Sequence, residues 1–255
     1  MIMFLKSKLK KILFWFFVVL SVSLAVSAVS VFLSLPDVSG LEDGHPERTA
    51  LMKLRLKQAE KEGDPMMLKQ EWVSFAAIPK LLKDTVRIAE DSNFYWHEGI
   101  DFEEIQEAVK RNIREKRFAR GASTITQQLA KNLYLSTKKS FFRKVKEYFI
   151  ARRLEKVLTK DRIFELYLNF IELGPGIFGV QAASRTHFAV SVDQLTLEEI
   201  VRLTAVIPRP LTTDAAGDSA WLRWRCRWLL HKLLLYEYIS EEDYRNTVIL
   251  FPENF

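Results

Sequence analysis

Apolar positions recur at helical spacing along most of the chain beyond Pro79, and two of them are taken by carboxylates. Leu82, Val86 and Glu90 fall at i, i+4 and i+8, so a helix entered from Pro79 carries Glu90 on its apolar face. Desolvation there raises a carboxyl pKa and makes the anion more basic, which suits a proton acceptor. A cap or a salt bridge to a neighbour is the plainer use of the same residue. Glu147, Ala151, Leu154 and Leu158 follow at steps of four, three and four, which puts a second carboxylate on an inward side. Arg143 and Lys144 sit one turn before Glu147, where they can hold it ionised and also meet a phosphate. Eight basic residues crowd Lys138–Leu158, so an ordinary solvated basic helix is the alternative.

Other elements announce themselves by their caps. Asp101 with Glu104 opens a helix through Arg114 whose apolar side is Ile105, Ala108, Val109 and Ile113. Thr124 with Gln127 opens another within RGASTITQQLAKNLYL; with Gly121 and Ser123 before it, this N-terminus offers backbone amides and a positive dipole end to an anion, and Lys131 lies two turns along. Hydroxyls before a helix also serve simply as caps. Thr159 starts a helix through Ile163, Leu166, Tyr167 and Phe170 that ends before Gly174-Pro175-Gly176, and Thr196 with Glu199 starts one that stops at Pro208 and Pro210. Gly179, Ala182 and Ala183 are small enough for helices or a ligand to approach closely. Trp221, Trp224 and Trp228, interleaved with Arg223, Arg225 and Arg227, read as a helix packing an aromatic stripe on the body, or as an interfacial contact. Almost nothing reads as a strand, so the fold class is mostly α.

The N-terminus differs in kind. Ile12–Leu35 is an uncharged run of 24 residues, enough to cross a hydrocarbon core of roughly 30 Å. Ala25, Ser27 and Ala28 would suit a cleaved signal peptide, but the run exceeds the usual apolar stretch of a signal, which favours an uncleaved anchor. Lys6, Lys8, Lys10 and Lys11 precede it and should stay in the cytoplasm, leaving the rest on the outer face of the membrane. The expected division is a leader and anchor over 1–36, a connector over 37–78 punctuated by Gly and Pro, with a helical piece near Ala50–Glu62, and a catalytic body over 79–255.

Composition adds two constraints. The 255 residues carry a net charge of +6 and a pI near 9.3, which fits an acidic partner. An anchored outer domain makes nucleic acid an unsuitable one and leaves lipid headgroups or a phosphorylated substrate. Cys226 is the single cysteine, so neither an internal disulfide nor a cysteine zinc site is available.

Taken in order, EDSNFYWHEGID, RGASTITQQLAKNLYL, RKVKEYFIARRLEKVLTKDRIFELYLNFIELGPGIFGVQAASRTHF and Pro208-Arg209-Pro210 resemble the motifs of the peptidoglycan glycosyltransferases. That family includes the transglycosylase domain of class A penicillin-binding proteins. Length, the single anchor and FIELGPGIFGVQAA resemble its monofunctional biosynthetic transglycosylases. The resemblance implies a lysozyme-like helical fold with a cleft facing the membrane. It also implies polymerisation of lipid II with inversion, using an undecaprenyl-pyrophosphoryl glycan chain as donor. On this resemblance Glu90 matches the general base and Glu147 the second essential glutamate, on the donor pyrophosphate side. Asp91, Phe94 and His97 complete the first motif. Gly121, Ser123, Thr124, Gln127, Gln128, Lys131, Asn132, Arg143 and Lys144 match substrate contacts.

Partners implied are lipid II, the lipid-linked glycan, membrane lipids and other cell-wall synthesis proteins. A divalent cation, Mg or Mn, could screen the pyrophosphate, although no metal-ligand cluster stands in the sequence. Relatives commonly carry tyrosine at His187, which reads as structural, and His97 reads as ordering its loop. Ser136 and Lys139 have the spacing of a penicillin-binding pair, yet no SDN or KTG follows, so no transpeptidase activity is expected. A lytic enzyme that cuts glycan strands, needing one catalytic acid, and a noncatalytic lipid II-binding scaffold are the competing functions.

Overall fold

The computed structural model describes residues 2–115, 123–138 and 140–253. It divides into two units, Met1–Asp37 and Val38–Phe255. The first holds α1 (Ile2–Leu33), about 48 Å of helix at 1.5 Å per residue. Phe14, Trp15, Phe16 and Phe17 are consecutive, so they point to every side, and all are exposed. Among the described residues no helix is long and apolar enough to cross a membrane. Inside the uncharged run, the side chains at 12, 24, 25, 27, 28 and 31 lie outside the described set.

The second unit is helical among the described residues, as the periodicity requires. Its elements are α2 (Ala50–Glu62), α3 (Lys80–Glu90), α4 (Phe102–Glu115), α5 (Ile125–Tyr134), α6 (Phe141–Val157), α7 (Lys160–Phe170), α8 (Val180–Phe188), α9 (Leu197–Ala205), α10 (Ala220–Leu235) and α11 (Glu241–Val248). α5 and α7 form its centre. Ile125, Leu129, Ala130 and Leu133 of α5 are buried against α2, α6 and α7, while α7 buries Ile163, Phe164, Leu166, Tyr167, Leu168 and Phe170 and leaves Asp161 exposed at its start. α3 packs on α9 and α10 through Leu82 and Val86. Reciprocal capping boxes start α5 at Thr124 and α9 at Thr196, and the Thr159 hydroxyl caps α7.

Three expectations meet a different structure. The stretch 38–78, read as a connector, is part of the compact unit. Arg55 of α2 grips Glu172 with two 2.7 Å hydrogen bonds, His45 stacks on Trp72 at 4.1 Å, and Arg162 binds the carbonyls of Leu41 and Gly44 at 2.9 and 2.6 Å. α2 buries Leu51, Met52 and Ala59, but the other ties are polar and aromatic and leave no apolar period in the sequence. A small sheet also forms, with strand order β1 (Lys69–Gln70), β3 (Ile177–Phe178), β2 (Glu172–Gly174); β1 runs parallel and β2 antiparallel to β3. Strands of two or three residues are too short for an alternation to register. Lastly, the tryptophans do not form the buried side of α10. Leu222, Cys226, Leu229, Leu230 and Leu233 do, while Trp224 is 58% exposed. Both sets recur at helical steps, and the aliphatic one fills the core.

Gly179 opens α8 at φ +82°, and a Cβ there would lie 2.6 Å from the Asn169 carbonyl oxygen. The small residue serves helix approach, α8 on the end of α7. Gly179→Ala is expected to cost about 1–3 kcal/mol, read as a lower midpoint in urea unfolding of the parent and variant.

Candidate active site

Glu90 closes α3, and its side chain is 12% exposed. Gln128, on the side of α5 facing it, donates from Nε2 to Glu90 Oε2 at 3.0 Å. The buried Tyr167 of α7 donates its hydroxyl to Gln128 Oε1 at 3.2 Å, which fixes which end of the amide meets the carboxylate. Arg225 of α10 brings Nη2 to 3.8 Å from Glu90 Oε1, an ion pair without a hydrogen bond. Burial pushes the Glu90 carboxyl above its ordinary range, while Gln128, Arg225 and Lys131 pull it back and Asp91 adds to the rise. Glu90 is thus both desolvated and paired with a cation.

The loop after α3 is a frame. Asp91 accepts from the Ile125 amide at 2.9 Å and faces His97 Nε2 at 3.0 Å from each oxygen. His97 Nδ1 accepts from the Gly99 amide at 3.1 Å, so the proton of a neutral ring lies on Nε2 and is donated to Asp91. The Thr124 hydroxyl donates to the Gly99 carbonyl at 2.7 Å, and Gly99 holds φ +86°. Phe94 is fully buried beneath, with the Lys160 ammonium 4.5 Å from its ring centre. His97 therefore orders the loop, as its sequence context indicated.

This frame corrects one expectation. At the N-terminus of α5 the Ile125 amide donates to Asp91, the Gln127 amide to the Thr124 hydroxyl at 3.1 Å, and the preceding Thr124 amide to Gln127 Oε1 at 3.2 Å, so these three are taken by the protein itself. The anion there is the protein's own Asp91. Asp91, Phe94, Thr124, Gln127 and Asn132 are all buried. Gly121 lies outside the described residues.

The second carboxylate anchors a cationic cluster. Glu147 is 3% exposed, accepts from Arg143 Nη1 at 2.6 Å on one oxygen and from the Lys144 ammonium on the other. Lys144 also donates to Ser123 Oγ at 3.1 Å. Lys131 is half-buried on α5, one turn beyond Gln128. Burial pushes its ammonium down, and both Glu147 and Glu90 act in the opposite direction, so this one cation feels both carboxylates. A cleft of about 210 Å³ is lined by Glu90, Asp91, Ser123 and Thr124 on one side and by Trp228 and Lys232 of α10 on the other. Ser123, which lines that cleft and binds Lys144, joins the Glu90 and Glu147 sides into one region.

The arrangement provides a desolvated carboxylate on α3 and, on α6, the cations Arg143 and Lys144 gathered at Glu147, with Lys131 coupled to both carboxylates, which suits proton removal opposite the departure of an anion. Among the described residues no group of three or more His, Cys, Asp or Glu side chains is placed to hold a metal ion. The donors around Glu147 are cations and do not fit one, so no step is derived through a divalent ion. Ser136 is exposed beyond α5, and Lys139 lies outside the described residues. His187 bridges the Leu173 carbonyl and Asp214, at 3.1 Å to each, away from both glutamates. Sequence reasoning took Tyr167 for core and did not single out Arg225 or Lys232. Nothing in their spacing separates them from neighbours that only pack.

The family model of the transglycosylases matches residues 58–234, a span containing every residue of this cleft but Tyr236. The chain belongs to the transglycosylase family. Among similar proteins, a biosynthetic peptidoglycan transglycosylase of Neisseria meningitidis serogroup C is 45% identical over 188 residues, 74% of this chain and 81% of that protein. One of Nitrosospira multiformis is 36% identical over 219 residues, 86% of this chain and 95% of that protein. Among solved structures, penicillin-binding protein 1A from Haemophilus influenzae has 20% identity and a TM-score of 0.40, over 71% of this chain and 17% of that one. In this transglycosylase, Glu90 comes from α3, Gln128 and Lys131 from α5, and Glu147 from α6.

Proposed function

We propose that this transglycosylase polymerises lipid II into β-1,4-linked glycan strands. The observation that carries the reading is that Lys144, bound to the buried Glu147, also binds Ser123 on the wall of the cleft that Glu90 lines. Glu90 takes the proton from the C4 hydroxyl of the acceptor lipid II. The oxygen attacks C1 of the growing chain, the bond from C1 to the pyrophosphate oxygen breaks, and configuration inverts. The electron pair leaves with undecaprenyl pyrophosphate, whose charge meets Lys131, Arg143 and Lys144. Pyrophosphate leaves readily, so no acid is needed to protonate it. Two carboxylates on opposite sides also serve inverting glycosidases, but a sugar takes the place of water here.

The cationic cluster weighs against a lytic enzyme, since cleavage of an uncharged glycan link has no use for three cations. A raised Glu90 carboxyl weighs against a passive scaffold, because burying a carboxylate costs stability that binding alone does not require. With no SDN or KTG after Ser136, the reading includes no transpeptidase activity. α1 is read as a single-pass anchor in the cytoplasmic membrane, with the body on its outer face. Its apolar side chains point to all sides, which fits lipid rather than the surface of a folded domain. Incubating the full chain with labelled lipid II in detergent or vesicles tests all three functions. Long glycan is the expected product; shortened strands from preformed polymer, or no product, would overturn the proposal.

A further inference from the structure

Glu90 has one partner that neither the motifs nor the spacing pointed to. Arg225 lies on α10, more than a hundred residues along the chain, and its side chain is 14% exposed. Its guanidinium lies 4.3 Å from the centre of the Trp228 ring, and Nη2 stands 3.8 Å from Glu90 Oε1. Its Nε is buried with no hydrogen-bond partner among the described residues. A guanidinium kept in a poorly satisfied, desolvated place is held there by something, and the two interactions present are the aromatic face and the carboxylate. Lys232, one turn beyond Trp228 and 5.8 Å from the same ring, also lines the Glu90 cleft.

We propose that Arg225, stacked on Trp228, is a positioning residue for the Glu90 carboxylate, fixing the oxygen that Gln128 does not hold and keeping the group ionised between turnovers. Gln128 addresses Oε2 from α5 and Arg225 addresses Oε1 from α10, so the carboxylate is clamped between two helices distant in sequence. The charged and titratable groups facing it are Arg225 from α10, Lys131 from α5, Asp91 beside it and Tyr167 from α7. Lys131 is also coupled to Glu147 and Lys232 lines the same cleft, but among the described residues it is Arg225 that stands at ion-pair distance from Glu90. The inference rests on the reading of Glu90 as the base.

The test is the pH dependence of lipid II polymerisation by the full chain, for the parent, Arg225→Gln, Arg225→Lys and Trp228→Leu. Loss of the cation lets Glu90 hold its proton to higher pH, so the acid limb of kcat/KM moves upward. Arg225→Gln should fall roughly tenfold below the parent at the acid end and approach it at the alkaline end. Arg225→Lys should restore part of the acid limb, and Trp228→Leu should move it in the same direction by less. A purely structural role would lower all pH values alike, and that result overturns the inference. Titration of glutamate carboxyl signals in ¹³C-labelled protein, with the Glu90 signal identified by its loss in Glu90→Gln, reads the same group without turnover. An unmoved Glu90 titration in folded Arg225→Gln would also overturn it. A parent that makes no glycan fails the proposed function, whereas an active parent with an unmoved limb in Arg225→Gln fails only this inference.

Discussion

Glu90→Gln is expected to reduce glycan polymerisation by about 10²- to 10⁴-fold, the range a positioned general base contributes. The variant keeps nearly the same shape, and its amide can still accept from Gln128 Nε2, so the α3 end and the cleft should stay in place. What is removed is the ability to take the proton. Stability should move the other way. A carboxyl raised by burial in the folded state penalises folding once it ionises, so the penalty sets in as pH rises through the window between its unfolded and folded values. At neutral pH the glutamine variant should therefore melt at or above the parent temperature. Loss of activity with no loss of melting temperature is the paired outcome to look for. Near-normal polymer yield would mean that another group is the base.

Glu147→Gln is the second large effect, and it should look different. The side chain is 3% exposed and accepts from both Arg143 and Lys144, so its charge fixes two cations at the donor end. Arg143 is 18% and Lys144 47% exposed, so both can turn to water when the carboxylate is lost. Solvent screening discounts the pair, and the stability cost should be about 1–2 kcal/mol rather than that of a fully buried ion pair. In kinetics we expect kcat to fall by about 10²-fold or more, the scale of losing one preorganised electrostatic element. KM should not rise, because unneutralised cations hold an anionic donor at least as well. A raised KM with unchanged kcat would show that Glu147 contributes to binding and not to the chemical step.

Much of this was legible in the residues. Leu82, Val86 and Glu90 predicted both a helix and a desolvated carboxylate, and α3 places Glu90 12% exposed at its end. Arg143, Lys144 and Glu147 lie within one turn of each other, so helical geometry alone pairs them. Capping boxes at Thr124 and Thr196 set two helix starts, because a reciprocal side-chain to backbone exchange is local. The extent of the body was less legible. Arg55 with Glu172 and Trp72 with Phe170 tie 38–78 to the rest by long-range contacts, which no periodicity announces.

The amino-acid sequence by itself determined the helical class, the two inward glutamates and the apolar helix at the N-terminus, since each depends on residues within a few turns of one another, and the family, which rests on motifs in linear order. Tertiary structure decided what surrounds those glutamates. It occupied the Ile125 amide with Asp91, locked Gln128 with Tyr167, tied Lys144 to Ser123 on the cleft wall and set Arg225 against Glu90. A carboxylate's basicity depends on burial and on charges a few ångströms away, and those neighbours come from helices tens to more than a hundred residues apart.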